Sequence, residues 1–186
     1  MDALPDPRSR LEAYARQNLP RYTSYPTAPH FGPLAEAEYR AWLAEIRPGD
    51  TLSLYLHIPF CRTLCWYCGC HTAITRNQAR LARYAEGLER EAGLLAAALP
   101  VRPPVESLHL GGGTPSAIGA RGLDQAMGAL RAAFAFRADA ELSVECDPRT
   151  LEENVVAVLA RHGFNRASLG VQDMDPEVQA ASGRIQ

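Results

Sequence analysis

Hydrophobic and polar residues alternate along four short segments of the chain, which is the pattern of half-buried β-strands. The predicted strands are Leu52–Ile58, Ser107–Leu110, Glu141–Glu145 and Ala167–Gln172. Aliphatic side chains line one face of each segment, and mostly polar side chains line the other. An open sheet with helices on both faces favours continuous apolar strands. The one-sided pattern therefore predicts a wide barrel with a polar interior that can enclose a ligand.

Helical periodicity separates the predicted strands. Apolar stripes with a spacing of three or four residues run through Ala79–Ala98, Leu123–Phe134 and Leu151–Leu159. The third stripe stops at His162-Gly163, where glycine can cap the end of a helix. Strands and helices that alternate in this way indicate a parallel sheet with right-handed crossovers. The predicted fold class is α/β.

The first 50 residues follow a different pattern. Seven prolines fall in this region, and two short helices are predicted around Arg8–Gln17 and Ala35–Ile46. The proline spacing keeps Pro20–Pro29 between them extended. We therefore predict an amino-terminal arm or cap over residues 1–50 and the first part of a barrel domain over residues 51–186.

The predicted barrel has only about four βα units, and the fourth helix has just begun at Asp175–Gln186. A partial barrel exposes an unpaired strand edge. We therefore expect this chain to be the amino-terminal portion of a longer protein, and to be inactive and poorly soluble by itself.

Composition and charge narrow the possible partners. The 186 residues are 47% hydrophobic and 22% charged, as in soluble globular proteins, and the formal net charge is −2. This charge gives no electrostatic reason to expect binding to nucleic acid or to an anionic membrane. We expect a cytoplasmic protein, because neither a signal peptide nor a long apolar span is visible.

Cysteine spacing is the strongest chemical signal. Four of the five cysteines fall between Cys61 and Cys70, which favours metal or cluster binding over a disulfide framework. Cys61, Cys65 and Cys68 follow the first predicted strand with the spacing C-x3-C-x2-C. Three thiolates leave one iron of a 4Fe–4S cluster open, and S-adenosylmethionine can chelate that iron through its amino and carboxylate groups.

Two other interpretations concern the cysteines. A structural zinc site could use the same three thiols together with Cys70 or His71, because zinc needs four ligands. The remaining cysteine, Cys146, is predicted to be a small buried apolar residue.

Several motifs together resemble one family. Tyr55–Cys70 and Leu110–Pro115 are similar to the coproporphyrinogen branch of the radical S-adenosylmethionine (radical SAM) enzymes. Arg21–Ala28, the Cys68-Gly69-Cys70 triplet, and Gly170–Asp173 with Arg184 beyond it resemble the oxygen-independent coproporphyrinogen III oxidase family within that branch. The resemblance covers nearly the whole chain.

The resemblance implies a partial (β/α)6 barrel and an oxidoreductase of haem biosynthesis. A 5′-deoxyadenosyl radical would abstract hydrogen from a propionate of coproporphyrinogen III, which then loses carbon dioxide and an electron to leave a vinyl group. Two such reactions would give protoporphyrinogen IX. The implied cofactors are one 4Fe–4S cluster and S-adenosylmethionine, with up to two molecules of the latter. The implied partners are an electron donor such as flavodoxin or ferredoxin, and the full-length enzyme would be a monomer.

The resemblance also implies roles for single residues. Cys61, Cys65 and Cys68 would ligate the cluster, whereas Cys70 would not. Tyr55, Gly112 and Glu145 would bind the first S-adenosylmethionine. A second molecule would contact five residues, which are Tyr67, Gly113, Thr114, Gln172 and Arg184. No catalytic residue is assigned beyond the cluster, and the inward histidines His57 and His109 are interpreted as scaffolding.

Two rival functions remain at this point. One is a haem chaperone of the same superfamily, which would carry the cluster but lack oxidase activity. The other is a zinc-stabilised binding module.

Overall fold

A computed structural model describes residues 27–186 of the chain, which falls into two compact units, residues 1–38 and 39–186. The predicted helix over Arg8–Gln17 and most of the Arg21–Ala28 motif lie outside the described residues. In the described part of the first unit, a 3₁₀ turn covers Ala28–His30. The helix expected over Ala35–Ile46 is α1, Glu36–Ala44. The predicted domain boundary near residue 50 stays a prediction.

Strands and helices alternate along the second unit. The strands are β1 (Leu52–Ile58), β2 (Phe60–Cys61), β3 (Ala73–Ile74), β4 (Val105–Gly112), β5 (Phe136–Cys146) and β6 (Arg166–Leu169). The helices are α2 (Gln78–Ala98), α3 (Gly119–Ala133), α4 (Glu153–Arg161) and α5 (Pro176–Ser182), with 3₁₀ turns at Pro115–Ile118 and Pro148–Thr150.

The main sheet has four strands in the order β1-β4-β5-β6, and every pair is parallel. Each strand therefore lies beside the next one along the chain, as in the wall of a barrel. The short strands β2 and β3 form a separate parallel pair. The predicted α/β fold with a parallel sheet is confirmed.

One face of the sheet carries the core. Leu108, Leu110, Leu142 and Val144 are buried there among side chains of the helices, which include Leu88, Leu123 and Met127. The other face is polar, as the alternation predicted. On that face, Ser53 and Ser107 share a hydrogen bond of 2.7 Å between their hydroxyl oxygens.

The end of the fourth strand differs from the prediction. β6 stops at Leu169, and Gly170–Gln172 is not strand. The amide of Gly170 still donates to the Cys146 carbonyl (2.9 Å), but the amide of Val171 donates back to Leu169 (3.0 Å), so the chain turns sharply. Gln172 has a φ of 78° and is the one non-glycine residue within 27–186 with a positive φ. The predicted alternation fails here because the chain bends toward α5.

Helix ends follow local sequence signals. The Asp175 carboxylate caps α5 by accepting from the amides of Glu177 (2.8 Å) and Val178 (3.3 Å). Gly183 ends the same helix in the left-handed conformation, with a φ of 66°. In residues 27–186, no helix has the length and apolar character needed to cross a membrane.

Truncation of a core side chain should test which helix face carries the core. Leu123 on α3 is fully buried, so we expect Leu123→Ala to lower the free energy of unfolding by about 2–5 kcal/mol. Leu94 on α2 is 73% exposed, and Leu94→Ala should change it by less than about 0.5 kcal/mol. Urea unfolding measures both, and equal losses would contradict the assignment of these helix faces.

Candidate functional site

Most of the predicted site residues lie at the carboxyl edge of the main sheet. β1 runs into the cysteine loop, β4 into the Gly111–Thr114 turn, and β5 carries Glu145 next to its last residue. The loops that follow parallel strands meet at one edge of the sheet, where barrel enzymes build their active sites. The site is therefore assembled by the topology from segments that are far apart in sequence.

The cysteine loop is closed at its base by backbone hydrogen bonds. The amide of Ala73 donates to the Pro59 carbonyl (2.6 Å), and the amide of Thr75 donates to the Cys61 carbonyl (3.1 Å). A tight turn within the loop joins the Cys68 amide to the Cys65 carbonyl (3.1 Å). The loop is thus anchored by its ends.

The three thiols have different polar neighbours. The Sγ atom of Cys61 lies 3.5 Å from Thr114 Oγ1, and the Sγ atom of Cys68 lies 3.9 Å from Thr72 Oγ1. The Sγ atom of Cys65 accepts from Arg184 Nη1 at 3.5 Å. All three cysteines are free and partly buried. Each sulfur atom therefore has one polar neighbour: a hydroxyl after β4, a hydroxyl directly before β3, and a guanidinium after α5.

Electrostatics at the loop favour a bound cation. Burial raises the pKa of the Cys61 thiol, the hydrogen bond from Thr114 opposes this, and the nearby Cys68, Cys65 and Asp147 raise the pKa further. The neighbouring thiols and Asp147 thus hinder ionisation of the Cys61 thiol. Iron bound to thiolates supplies the missing positive charge, and soft thiolate ligands suit iron–sulfur clusters.

The chemistry of the donor set, three cysteine thiols in one loop, fits an iron–sulfur cluster. Among the described residues, no group of three or more His, Cys, Asp or Glu side chains is arranged to hold a metal ion. A zinc ion would need its thiolates gathered around one centre. In a 4Fe–4S cluster each thiolate binds a different iron, so the ligands lie farther apart.

The turn after β4 requires glycine. Gly112 has a φ of 115°, and a Cβ atom there would lie 2.8 Å from the ring of His57 and 2.9 Å from the Ile58 carbonyl oxygen. A Cβ atom on Gly113 would lie 2.7 Å from the Phe60 carbonyl oxygen and 3.0 Å from Cys61 Sγ. The backbone of this turn therefore lies directly against the start of the cysteine loop.

Two backbone hydrogen bonds hold the turn in that place. The amide of Gly113 donates to the Ile58 carbonyl (2.9 Å), and the amide of Thr114 donates to the Phe60 carbonyl (2.8 Å). The predicted first-cofactor residue Gly112 and the first cysteine are thus neighbours in space.

The Glu145 carboxylate is oriented by two contacts. Its Oε2 atom accepts from the amide of Gly112 (3.3 Å), and its Oε1 atom lies 3.3 Å from His109 Nε2. The other ring nitrogen of His109 lies 2.7 Å from Ser143 Oγ. Glu145 remains partly exposed on the polar face, so its other lone pairs can accept hydrogen bonds from a ligand.

Tyr55 lies beside this pair on the polar face of the sheet. Its ring stacks on that of His109 (5.8 Å between centroids, 15° between planes), and its hydroxyl lies 3.0 Å from His57 Nδ1. Burial, and then the charges of Glu145 and Cys70, raise the pKa of the Tyr55 hydroxyl. Tyr55 therefore offers a neutral phenol and a half-exposed ring to the space above the sheet.

The residues predicted for a second cofactor are only partly brought together. Gly113, Thr114 and Arg184 all contact the cysteine loop. Gln172 is exposed, and its Nε2 atom lies near Gly170 in the turn after β6. Tyr67 is 56% exposed at the loop surface, where no described hydrogen bond joins it to the other four.

Sequence reasoning missed Asp147 and Arg149. Asp147 is 6% exposed and binds the Arg149 guanidinium through two bonds, Nε to Oδ1 (3.0 Å) and Nη2 to Oδ2 (2.7 Å). Burial alone would raise the pKa of Asp147, but the bonds from Arg149 and the charges of both arginines hold it below its usual value. The signal was an acidic and a basic residue directly after the third strand, at the edge that carries the cysteines.

Comparison with known proteins identifies the family. The sequence model of the radical SAM superfamily matches residues 55–186. The chain belongs to the radical SAM superfamily. Membership implies a 4Fe–4S cluster and S-adenosylmethionine as cofactors, while the number of S-adenosylmethionine molecules and the role of each residue stay predictions.

Two relatives share one name. The oxygen-independent coproporphyrinogen III oxidase of Bradyrhizobium diazoefficiens is 50% identical over 175 residues, which cover 94% of this chain and 39% of the relative. The protein of that name from Escherichia coli is 45% identical over 169 residues, which cover 90% of this chain and 36% of the relative. The chain therefore spans less than two fifths of the length of these relatives.

A solved structure agrees with the fold. The coproporphyrinogen III oxidase from Escherichia coli, described as a radical SAM enzyme, superposes with a TM-score of 0.83 at 40% identity. The match covers 95% of this chain and 39% of that one. The radical SAM fold that the family resemblance implied is confirmed over this length.

Proposed function

We propose that this chain contributes the radical-generating part of an oxygen-independent coproporphyrinogen III oxidase. In that reaction two propionate side chains of the substrate become vinyl groups, and the product is protoporphyrinogen IX. The observation that carries the proposal is the meeting of the three-cysteine loop, the glycine turn and Glu145 at one sheet edge, in a chain 50% identical to an oxidase of that name.

Each part of the site has a separate task. Cys61, Cys65 and Cys68 would hold the cluster, which together with bound S-adenosylmethionine would supply the radical chemistry for removal of a hydrogen atom from the substrate. The absence of side chains at Gly112 and Gly113 allows the backbone to contact the methionine part of the cofactor. The substrate then loses carbon dioxide and passes one electron to an acceptor, which completes the change from propionate to vinyl.

Glu145 would accept hydrogen bonds from the amino or hydroxyl groups of S-adenosylmethionine. A hydrogen bond to a charged group contributes about 1.5–3 kcal/mol, so Glu145→Gln should weaken binding by about ten- to a hundredfold. Glu141→Gln is the matched control, because Glu141 lies on the same strand and face but pairs with Arg166 (3.0 Å). Isothermal titration of the reconstituted protein measures both affinities, and equal affinities would contradict the assignment.

A second S-adenosylmethionine molecule would lie beside the first, against Tyr67, Gly113, Thr114, Gln172 and Arg184. The contacts of Gly113, Thr114 and Arg184 with the cysteine loop support this placement. Equilibrium binding should then saturate at two molecules per chain, and saturation at one would contradict this part of the proposal.

The cluster needs an electron donor, for which we propose a flavodoxin or ferredoxin that docks through an acidic surface. A cavity of about 390 Å³ behind the cysteine loop supports this. Its lining includes His71, Arg80 and Arg83, and within residues 27–186 neither arginine has an ion-pair partner. Phe60 lines the cavity beneath Arg80, and the next residue in the strand is Cys61.

Charge reversal at this cavity should slow reduction of the cluster by such a donor. We expect Arg83→Glu to lower the rate of reduction and to weaken its dependence on ionic strength, since fewer opposite charges then attract the donor. Stopped-flow reduction measures the rate. Arg121→Glu, an exposed arginine on α3, is the control and should leave the rate unchanged.

The complete natural polypeptide that carries these residues provides the test of the function. Under anaerobic conditions with a reducing system, it should release carbon dioxide from coproporphyrinogen III, and the Cys65→Ala variant should release none. Haem transfer without porphyrinogen turnover would overturn the proposal in favour of a chaperone.

We further propose a cytoplasmic monomer, and gel filtration would test its oligomeric state.

A further inference from the structure

Three charged side chains, of which Asp147 and Arg184 are buried, cluster where the end of α5 meets the cysteine loop. The Asp147 carboxylate lies between the guanidinium groups of Arg149 (2.7 Å) and Arg184 (3.5 Å). Asp147 and Arg184 are 6% and 9% exposed. Two cations and one anion leave a net positive charge close to the thiols.

Four chain segments meet at this cluster. Arg149 Nη1 donates to the Gly183 carbonyl (3.2 Å) just after α5, and Arg184 Nε donates to the Gly170 carbonyl (3.0 Å) in the turn after β6. The cysteine loop joins through the Trp66 amide, which donates to the Ser182 carbonyl (2.9 Å). The position of Arg184 is therefore fixed by backbone atoms of the fold as well as by charge.

The N–H groups of Arg184 contact the Gly170 carbonyl, the Asp147 carboxylate and the sulfur atom of Cys65. Nε and Nη2 donate to Gly170, Nη2 also faces Asp147, and Nη1 lies 3.5 Å from Cys65 Sγ. The group is planar and rigid, so anchoring two of its nitrogens determines where the third one points.

We propose that Asp147 and Arg149 are positioning residues, which hold the Arg184 guanidinium against Cys65 so that its hydrogen bond raises the reduction potential of the cluster. Donors and positive charge near a cluster sulfur stabilise the reduced, more negative state. The inference rests on the proposed function, because it takes Cys65 as a cluster ligand.

The Asp147→Asn variant distinguishes two ways in which Asp147 can affect the reduction potential of the cluster. One is through its own negative charge, and the other is by holding the Arg184 guanidinium against Cys65. Loss of a nearby negative charge would by itself shift the potential to a more positive value. If Asp147 acts by holding Arg184, its loss leaves the guanidinium on the Gly170 carbonyl alone and exposes it to repulsion from Arg149, which Asp147 no longer offsets. The guanidinium then moves away from the sulfur, and the potential shifts to a more negative value. The sign of the shift therefore decides between the two roles.

The Gly170→Ala variant tests the same contact without a change of charge. An added Cβ atom would lie 2.9 Å from Arg184 Nη2 and 2.9 Å from Gln172 Nε2, and both are the mobile ends of side chains. The Arg184 guanidinium must then move. We expect a shift to a more negative potential, in the same direction as Arg184→Met.

Asp139→Asn is the matched control. Asp139 also binds an arginine two residues away through two bonds, Arg137 Nε to Oδ1 (2.8 Å) and Nη2 to Oδ2 (2.8 Å). This pair lies near the start of β5 and is exposed to solvent, whereas Asp147 and Arg149 follow the end of that strand. We expect no shift in potential.

The experiment is a redox titration of the reconstituted complete polypeptide, followed by electron paramagnetic resonance without S-adenosylmethionine. A parent protein that assembles no cluster would count against the proposed function. A cluster whose potential is unchanged in Gly170→Ala, or more positive in Asp147→Asn, would overturn this inference alone. Thermal unfolding and iron content of each variant establish that the compared proteins are folded and loaded.

Discussion

Cys65→Ala is expected to abolish assembly of the iron–sulfur cluster. Cys65 is the middle ligand of the proposed three and belongs to the turn closed by the Cys68 amide, so no other described thiol lies at its place in the loop. With two thiolates left, the cluster loses one of its only three protein attachments. Anaerobic reconstitution with iron and sulfide should then give neither the visible absorption of a cluster nor bound iron and sulfide.

Two other cysteines serve as controls. Cys146 is buried at the end of β5, and Cys146→Ala should keep the cluster. Cys70 is exposed beyond the third ligand, and Cys70→Ala should also keep it. Full cluster content in Cys65→Ala would refute the ligand assignment. Zinc bound in place of iron, and lost in Cys70→Ala, would favour the zinc-stabilised module.

Gly112→Ala is expected to remove S-adenosylmethionine binding and to destabilise the fold. The positive φ of Gly112 costs a non-glycine residue about 1–3 kcal/mol. The new Cβ atom would also lie 2.9 Å from a backbone oxygen, that of Ile58, which cannot move without shifting β1. The turn would then leave the position from which its amide contacts Glu145. Urea unfolding and cofactor titration measure the two effects.

Gly128→Ala is the matched control for this substitution. Gly128 lies inside α3, with open space where a Cβ atom would be added. Alanine is the better helix former, so this variant should gain about 0.5–1 kcal/mol and bind the cofactor normally. A Gly112→Ala variant as stable as the parent and with the same affinity for S-adenosylmethionine would contradict the requirement for glycine at this turn.

Local patterns accounted for most of the fold. Leu52–Ile58 was predicted to the residue, and α2 begins one residue before its predicted start. Both segments are regular over seven residues or more, so their periodicity was visible without knowledge of their neighbours. The alternation also predicted correctly that the helices cover one face of the sheet, because every second side chain of a strand points to the same face.

Features that depend on contacts between distant segments were not predicted. The turn at Gly170 looked like strand because Val171 and Gln172 continue the alternation, whereas the bend arises where the chain meets Arg184. The spacing of Asp147 and Arg149 in the sequence did not indicate their partners, because they contact residues more than thirty positions away. Most of the Arg21–Ala28 motif lies outside the described residues, so the arm predicted there stays a prediction.

The β2–β3 pair has a consequence for the free energy that cluster binding must supply to order the cysteine loop. These two strands join the ends of the cysteine loop by backbone bonds alone, so closing the loop does not depend on the metal. In many small metal sites the ion must supply the free energy that orders its own ligands. Here backbone hydrogen bonds supply part of that ordering, because they close the loop at its base. Binding of iron and sulfide would then cost less chain entropy than in a loop that only its metal closes.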